Sequence, residues 1–132
     1  MHSLTVVSHI NASPDAVWNV IGDPSGISSW HPAIAESPVS GADRACTLAN
    51  GAEIKERIEQ VDNDGKSYTY SIVESPLPLA SYVSTIRVDA EADGAVVTWD
   101  ANFEVEGAPA EEVSAMLSNV YQAGLTALRA SL

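Results

Sequence analysis

Apolar residues recur at three- and four-residue intervals through the last part of the chain, from about Pro109 to Leu132. This spacing predicts one amphipathic helix, a rod of roughly 30 Å. Glu111 and Glu112 place negative charge at the positive end of its dipole. The apolar stripe consists of Val113, Met116, Leu117, Val120, Tyr121, Gly124, Leu125 and Leu128.

Between Ala33 and Glu106 the rhythm is different, because apolar and polar residues alternate with a period of two, which is typical of strands. Asn50-Gly51 is a strong signal for a tight hairpin. Strands are predicted at residues 4–10, 33–39, 45–49, 53–61, 67–74, 81–89 and 95–106. The connections are too short for parallel crossovers, so the sheet is predicted to be antiparallel.

Two short helices are predicted after the first strand. Ser13 and Pro14 suit the start of one helix, which ends at Gly22, and Asp23-Pro24 starts another that ends near Trp30. The chain is therefore predicted to form a single α+β domain over residues 1–132, of order β-α-α-β6-α. Its seven-stranded curved antiparallel sheet would wrap around the long C-terminal helix and leave a pocket between them.

Composition narrows the possible partners. The 132 residues are 45% hydrophobic, which excludes a disordered chain. A net charge of −12 with scattered basic residues argues against nucleic acids and anionic membranes as partners. A single cysteine and three dispersed histidines predict neither a disulfide framework nor a metal site. We expect a cytoplasmic monomer or homodimer that uses no cofactor and has neither a signal peptide nor a membrane span.

Several motifs resemble one superfamily over nearly the whole chain. They are Ser13-Pro14-Asp15-Ala16-Val17-Trp18, Gly22-Asp23, Trp30-His31-Pro32, Glu74-Ser75-Pro76-Leu77-Pro78 and the C-terminal helix. In these motifs the chain resembles the START and birch-pollen-allergen superfamily (SRPBCC), and within it the polyketide cyclase/dehydrase and lipid-transport family. The resemblance implies a helix-grip fold. It leaves the chemistry open, since the superfamily holds cyclases, carriers of hydrophobic ligands and receptors.

Strand parity and the helix stripe predict which residues bind a ligand. The predicted ligand-binding residues are Trp30, Tyr70, Leu77, Tyr82, Trp99, Phe103, Met116, Val120 and Gly124. Leu77 lies in a loop whose two prolines keep it out of the sheet, and this loop is predicted to act as a lid. Gly124 has two interpretations: its missing side chain leaves volume for a ligand, or it lets a bulky core residue such as Trp99 pack closely.

Three residues are candidates for acid–base chemistry: Glu56, Glu74 and His31. Parity places both glutamates inward on adjacent strands, where burial favours a proton-transfer role. The alternative is that each carboxylate is satisfied by a tyrosine hydroxyl or Arg57, or lies at the open rim. His31, predicted near the pocket mouth, could transfer protons, or could cap its helix and pack on Trp30.

Two functions are compatible with these residues. The chain binds an aromatic or polyketide-like hydrophobic molecule, and either catalyses a cofactor-free cyclisation or dehydration or acts as a carrier or sensor. In the catalytic case Tyr70 and Tyr82 would orient a carbonyl group. Well-paired pocket carboxylates would favour binding alone, whereas an unpaired carboxylate at the pocket wall would favour catalysis.

Overall fold

The organising element is a long C-terminal helix, α3 (Ala110–Ser131), in the computed structural model, which describes residues 1–132. Pro109 directly precedes the helix in an extended conformation, and Glu111 and Glu112 lie in its first turn. Its buried residues repeat the predicted stripe: Val113, Leu117, Tyr121, Gly124, Leu125 and Leu128. Of the helices in the structure, none has the length and hydropathy of a membrane-spanning segment.

The sheet is antiparallel throughout. Its strands are β1 (His2–Ile10), β2 (Ile34–Glu36), β3 (Val39–Ser40), β4 (Asp43–Leu48), β5 (Glu53–Asp62), β6 (Ser67–Glu74), β7 (Leu79–Glu91) and β8 (Gly94–Val105). They are ordered β1-β8-β7-β6-β5-β4-β2, and β3 also pairs with β4. Gly51 has φ +90° in the turn between β4 and β5, as the predicted Asn50-Gly51 hairpin requires.

Short helical segments follow β1, as predicted. α1 (Pro14–Ile21) begins with Pro14 at its first position, and the Ser13 hydroxyl accepts a hydrogen bond from Ala16 N at 3.1 Å. A 3-10 helix (Pro24–Gly26), capped by Asp23, leads into α2 (Ile27–Trp30). The curved sheet, the C-terminal helix and these short helices confirm the predicted helix-grip fold class.

The strand predicted at residues 33–39 is divided in the structure, so the sheet has eight strands instead of seven. Ser37 turns inward, where its hydroxyl donates to the Ser25 carbonyl at 2.7 Å, and Pro38 has no N–H for the ladder. The chain therefore leaves β2 and pairs again with β4 as β3.

The position of α3 leaves space on one side of the sheet. The helix packs against β1 and β8, and it also contacts the short helix α2. The inner faces of β4, β5 and β6 are therefore not filled by α3, and a cavity forms beside it.

Replacing a buried residue of the stripe tests this packing. Leu117→Ala is expected to lower the free energy of unfolding by about 2–4 kcal/mol, because Leu117 is 4% exposed and its truncation leaves apolar contacts unfilled. Asn119→Ala, on the exposed side of the same helix, should change it very little. Urea denaturation of both variants measures the difference, and equal effects would contradict the orientation of α3.

Candidate functional site

An apolar cavity of about 390 Å³ lies between the sheet and α3 and opens to the surface. Of its 19 lining residues, 16 are hydrophobic, which is typical of a small-molecule site. The lining residues are Ile27, Ala33, Ile34, Arg44, Cys46, Leu48, Ala49, Asn50, Ile54, Glu56, Tyr70, Ile72, Leu77, Tyr82, Trp99, Met116, Leu117, Val120 and Tyr121.

Most of the ligand-binding residues predicted from the sequence line this cavity. Tyr70, Tyr82 and Trp99 come from β6, β7 and β8, whereas Met116 and Val120 come from α3. Leu77 reaches it from the loop between β6 and β7, although β7 begins at Leu79, two residues earlier than predicted. The inward positions were predicted correctly because β7 pairs without a register shift with β8 from Ser81 to Glu91 and with β6 from Val83 to Arg87.

An ion pair of Arg44 and Glu56 forms the charged part of the cavity wall. The two residues lie opposite each other on β4 and β5, and Arg44 Nε donates to Glu56 Oε1 at 2.8 Å. Cys46 Sγ donates to the same oxygen at 3.1 Å. The side chains of Arg44 and Glu56 are 1% and 7% exposed. Glu56 is thus satisfied by a cation, but by Arg44 and not by Arg57.

Further contacts hold the Arg44 guanidinium in place. Nη1 donates to the Pro24 carbonyl at 2.9 Å and to the Tyr68 hydroxyl at 3.3 Å. The guanidinium carbon lies 4.7 Å from the ring centre of Tyr70, within cation–π distance. Burial opposes the charge of Arg44, but Tyr68 and Glu56 more than offset it, so the pKa of Arg44 is raised. For the Cys46 thiol, burial and then Glu56 raise the pKa to about 12.

Arg44 and Cys46 were not among the site residues predicted from the sequence. The alternation predicts a strand from Ala45, whereas β4 begins at Asp43, so Arg44 was left outside the pattern. The available signal was that Arg44, Cys46 and Leu48 share one face once the strand is extended by two residues.

The tyrosine cluster consists of Tyr70, Tyr82 and Tyr121, whose hydroxyl groups meet at the cavity wall. The Tyr82 hydroxyl is hydrogen-bonded to that of Tyr121 and lies 3.5 Å from that of Tyr70. Burial is the main cause that raises the pKa of all three well above the usual value of 10. The three hydroxyls are therefore neutral at physiological pH. Because Ser84 Oγ donates to the Asp100 carbonyl, Tyr121 donates to Ser84 and Tyr82 donates to Tyr121. Tyr70, whose hydroxyl has only the 3.5 Å contact as an acceptor for its proton, is left with a proton to donate to a ligand.

Trp99 and Ser84 support the tyrosine cluster from β8 and β7. The indole Nε1 of Trp99 donates to Ser84 Oγ at 3.1 Å and to Tyr70 Oη at 3.3 Å. The ring of Trp99 stacks on that of Tyr121, with ring centres 4.2 Å apart and planes 5° apart. Through these contacts, Trp99 connects the strands β6 and β7 with α3 and holds the tyrosine cluster in place.

The predicted inward placement of Glu74 is wrong. The register of β5 and β6 shifts between Lys55 and Glu56, so Lys55 pairs with Glu74 while Glu56 pairs with Ile72. This bulge turns Glu74 to the outer face, where its side chain is 73% exposed and lies 3.6 Å from Lys55 Nζ. Glu74 therefore contributes nothing to the cavity.

His31 is also misplaced by the prediction, since it lies in the core and not at the pocket mouth. Its ring is 1% exposed; Nε2 donates to the Val120 carbonyl at 2.8 Å, and Ala33 N donates to Nδ1 at 3.1 Å. Both nitrogens are occupied, so the neutral Nε2–H tautomer is fixed and no ring nitrogen is free to exchange a proton with a ligand. His31 joins the end of α2 to α3.

Gly124 allows His31, at the end of α2, to approach α3 closely. A Cβ atom at this position would lie 2.5 Å from His31 Cδ2 and 3.2 Å from Trp30 Cζ3. Gly124 therefore serves close packing, against His31 and Trp30 and not against Trp99, and the alternative that it leaves ligand volume is wrong. Trp30 packs behind the cavity against Trp99, with ring centres 5.8 Å apart, and does not line it.

Phe103 does not line the cavity either. It is fully buried on the inner face of β8, opposite His2 of β1. Because α3 covers that side of the sheet, Phe103 belongs to the core beneath the helix. Nowhere in the structure do three or more His, Cys, Asp or Glu side chains form a group able to hold a metal ion.

Acidification is expected to weaken the fold through His31. Burial, opposed in part by the hydrogen bond to Val120, lowers the pKa of His31 below its ordinary value of 6.5. His31 therefore binds a proton more readily in the unfolded chain than in the folded protein. The contribution of the neutral ring to stability is complete above pH 6.5 and is lost as the pH falls through the lower pKa of the folded protein. Denaturation at pH 7.5 and at pH 5 should show the loss.

His31→Gln is the control for this prediction, because it removes the titrating ring while the other two histidines remain. The unfolding free energy of the variant should depend less on pH than that of the native protein. A pH dependence as steep as that of the native protein would contradict the role of His31.

Comparisons with known proteins agree with this geometry. The family model described as "Polyketide cyclase / dehydrase and lipid transport" matches residues 1–132. The protein XoxI from Bacillus cereus is 31% identical, with a TM-score of 0.96 over 99% of this chain and 95% of that one. No curated protein shows significant sequence similarity to the chain.

Two more distant structures share the fold. A START superfamily protein from Mycobacterium smegmatis is 10% identical with a TM-score of 0.84, over 99% of this chain and 97% of that one. The Zhui aromatase/cyclase from Streptomyces sp. R1128 is 14% identical with a TM-score of 0.83, over 98% and 92% of the two chains.

Proposed function

Since this chain belongs to the polyketide cyclase / dehydrase and lipid transport family, we propose that it binds a hydrophobic small molecule, aromatic or polyketide-like, in the cavity beside α3. The observation that carries this proposal is the cavity itself, about 390 Å³ with 16 hydrophobic residues among the 19 that line it. A core that served stability alone would be filled, because protein interiors are close-packed.

The polar groups of the cavity favour a carrier or sensor over an enzyme. Glu56 is the one carboxylate in the lining, and its Oε1 is occupied by Arg44 and Cys46. A general acid or base needs a carboxyl group that is free to exchange its proton with the substrate. Glu56 is instead held at Oε1 by two donors, one of them the Arg44 guanidinium, which is the arrangement expected where the carboxylate has a structural or orienting role. Oε2, which has no partner in the protein, would then accept a hydrogen bond from the ligand.

Cofactor-free cyclisation or dehydration is the second candidate, and the tyrosine cluster favours it. Neutral hydroxyls of Tyr70, Tyr82 and Tyr121 converge at one wall of the cavity. The Tyr70 hydroxyl, which keeps a proton to donate, would stabilise negative charge that develops on a carbonyl oxygen in the transition state, and Tyr82 and Tyr121 would hold it in place. In this case the ligand that enters would leave as a rearranged product.

Native mass spectrometry of protein purified from its own source tests both candidates. A co-purifying molecule that remains unchanged on incubation supports a carrier or sensor, whereas conversion to a product of equal mass, or one lighter by a water molecule, supports catalysis. Protein that carries no such molecule and binds no apolar fluorophore would contradict the proposed function.

A matched pair of variants tests whether the ligand binds in this cavity. Met116→Trp should weaken binding, because the larger ring occupies the cavity that Met116 lines. Ala115→Trp, on the exposed side of the same helix, adds the same ring outside the cavity and should leave binding unchanged. Fluorophore titration of both variants gives the comparison.

A further inference from the structure

We propose that Glu56 selects the charge class of the ligand: by neutralising Arg44, it makes the cavity accept uncharged molecules and reject organic anions. This inference rests on the proposed function and specifies the chemistry of its ligand. Arg44 and Glu56 are the only charged residues among those that line the cavity. Their pairing therefore decides the net charge that a ligand meets.

The geometry of Arg44 leaves only one of its three nitrogens, Nη2, without a hydrogen-bond partner in the protein. Nε is bonded to Glu56, and Nη1 to the Pro24 carbonyl and the Tyr68 hydroxyl. The rings of Tyr68 and Tyr70 lie 5.7 and 4.7 Å from the guanidinium carbon. An anionic ligand that bonded Nε would have to displace a carboxylate that is opposite Arg44 in the sheet register and is also bonded to Cys46.

The negative charge around Arg44 also disfavours anionic ligands. An anion that approached Arg44 without displacing Glu56 would lie beside a second negative charge in a largely apolar cavity, where repulsion is poorly screened. The chain as a whole carries a net charge of −12, which lowers the local concentration of anions around it. A neutral ligand meets neither obstacle.

Two fluorophores that share one apolar frame provide the test. N-phenyl-1-naphthylamine is uncharged, and 8-anilino-1-naphthalenesulfonate adds a sulfonate to the same rings. The native protein should bind the uncharged probe about tenfold more tightly or better, because only the anion suffers the repulsion. Equal or tighter binding of the sulfonate by the native protein would overturn the inference.

Glu56→Gln should reverse this preference, since it leaves the charge of Arg44 uncompensated in the cavity wall. The control is Glu74→Gln, which removes the same charge from the chain at a side chain that is 73% exposed on the outer face. Its preference should remain that of the native protein. A reversal in both variants would show that net charge, and not the ion pair, governs selection.

The double variant Arg44→Met/Glu56→Gln separates charge from folding. It contains neither charge of the pair, so it is expected to fold even if Glu56→Gln does not, and to keep its preference for the uncharged probe. Sulfonate binding by the double variant that exceeds binding of the uncharged probe would overturn the role assigned to Arg44. Failure of the native protein to bind either probe would instead contradict the proposed function, and this inference with it.

Discussion

Arg44→Met is expected to lower the free energy of unfolding by about 3–5 kcal/mol, the loss typical when one partner of a buried ion pair is removed. The variant leaves the Glu56 carboxylate, 7% exposed, without the guanidinium that bonds it at 2.8 Å. The Tyr68 hydroxyl and the Pro24 carbonyl lose a donor at the same time. Urea or guanidinium denaturation monitored by tryptophan fluorescence measures the change.

The double variant Arg44→Met/Glu56→Gln should recover more than half of this loss, because no charge is then buried alone. An exposed pair provides the comparison: Lys55 and Glu74 are 57% and 73% exposed at a distance of 3.6 Å. Lys55→Met should lower the free energy of unfolding by at most about 1 kcal/mol. A double variant as unstable as Arg44→Met alone would show that the packing of Arg44, and not its charge, stabilises the fold.

Trp99→Ala is expected to lower the free energy of unfolding as much as Arg44→Met does. The loss should be about 3–5 kcal/mol, the range for removing a large aromatic side chain from a core. Trp99 is 1% exposed, stacks on Tyr121 of α3 and donates to Ser84 and Tyr70. The variant therefore loses packing between the sheet and the helix as well as the donor that supports the tyrosine cluster. Calorimetry should show a lower melting temperature.

Trp18→Ala is the matched control, since Trp18 is half-buried on α1 and its indole nitrogen bonds Asn63 at the surface. It removes the same side chain for a smaller loss of buried area, and its effect should be smaller. If Trp18→Ala destabilised the protein as much as Trp99→Ala, the stacking on Tyr121 would not be the main contact between the sheet and α3.

The elements of the fold were predictable because they depend on local patterns. The apolar stripe of α3, the Ser13-Pro14 start of α1 and the Asn50-Gly51 turn each follow from residues within a few positions of one another. Inward parity on β7 and β8 was correct because a regular ladder carries the alternation along the strand without interruption.

The candidate site was predicted less completely because its key contacts join residues that are distant in sequence. Arg44 and Glu56 meet only through the pairing of β4 with β5. Arg44 was not assigned to a strand because the predicted strand begins two residues later than β4 does. His31 was placed at the mouth because it follows a short helix, whereas α3 and Gly124 enclose it, and its partner Val120 is 89 residues away along the chain.

From the sequence alone, a sheet curved around one long helix, the apolar face of that helix and the aromatic residues of the pocket were determined, and the resemblance of the motifs implied the helix-grip fold. Periodicity and side-chain type do not depend on strand register. Only the tertiary structure decided which carboxylate enters the cavity. The register shift at Lys55 and Glu56 leaves one extra residue, Val73, in β6, so Glu56 faces the cavity while Glu74 turns outward. Because strand side chains alternate with a period of two, one extra residue reverses the face of everything beyond it, and no pattern within the strand itself reveals where that residue is accommodated.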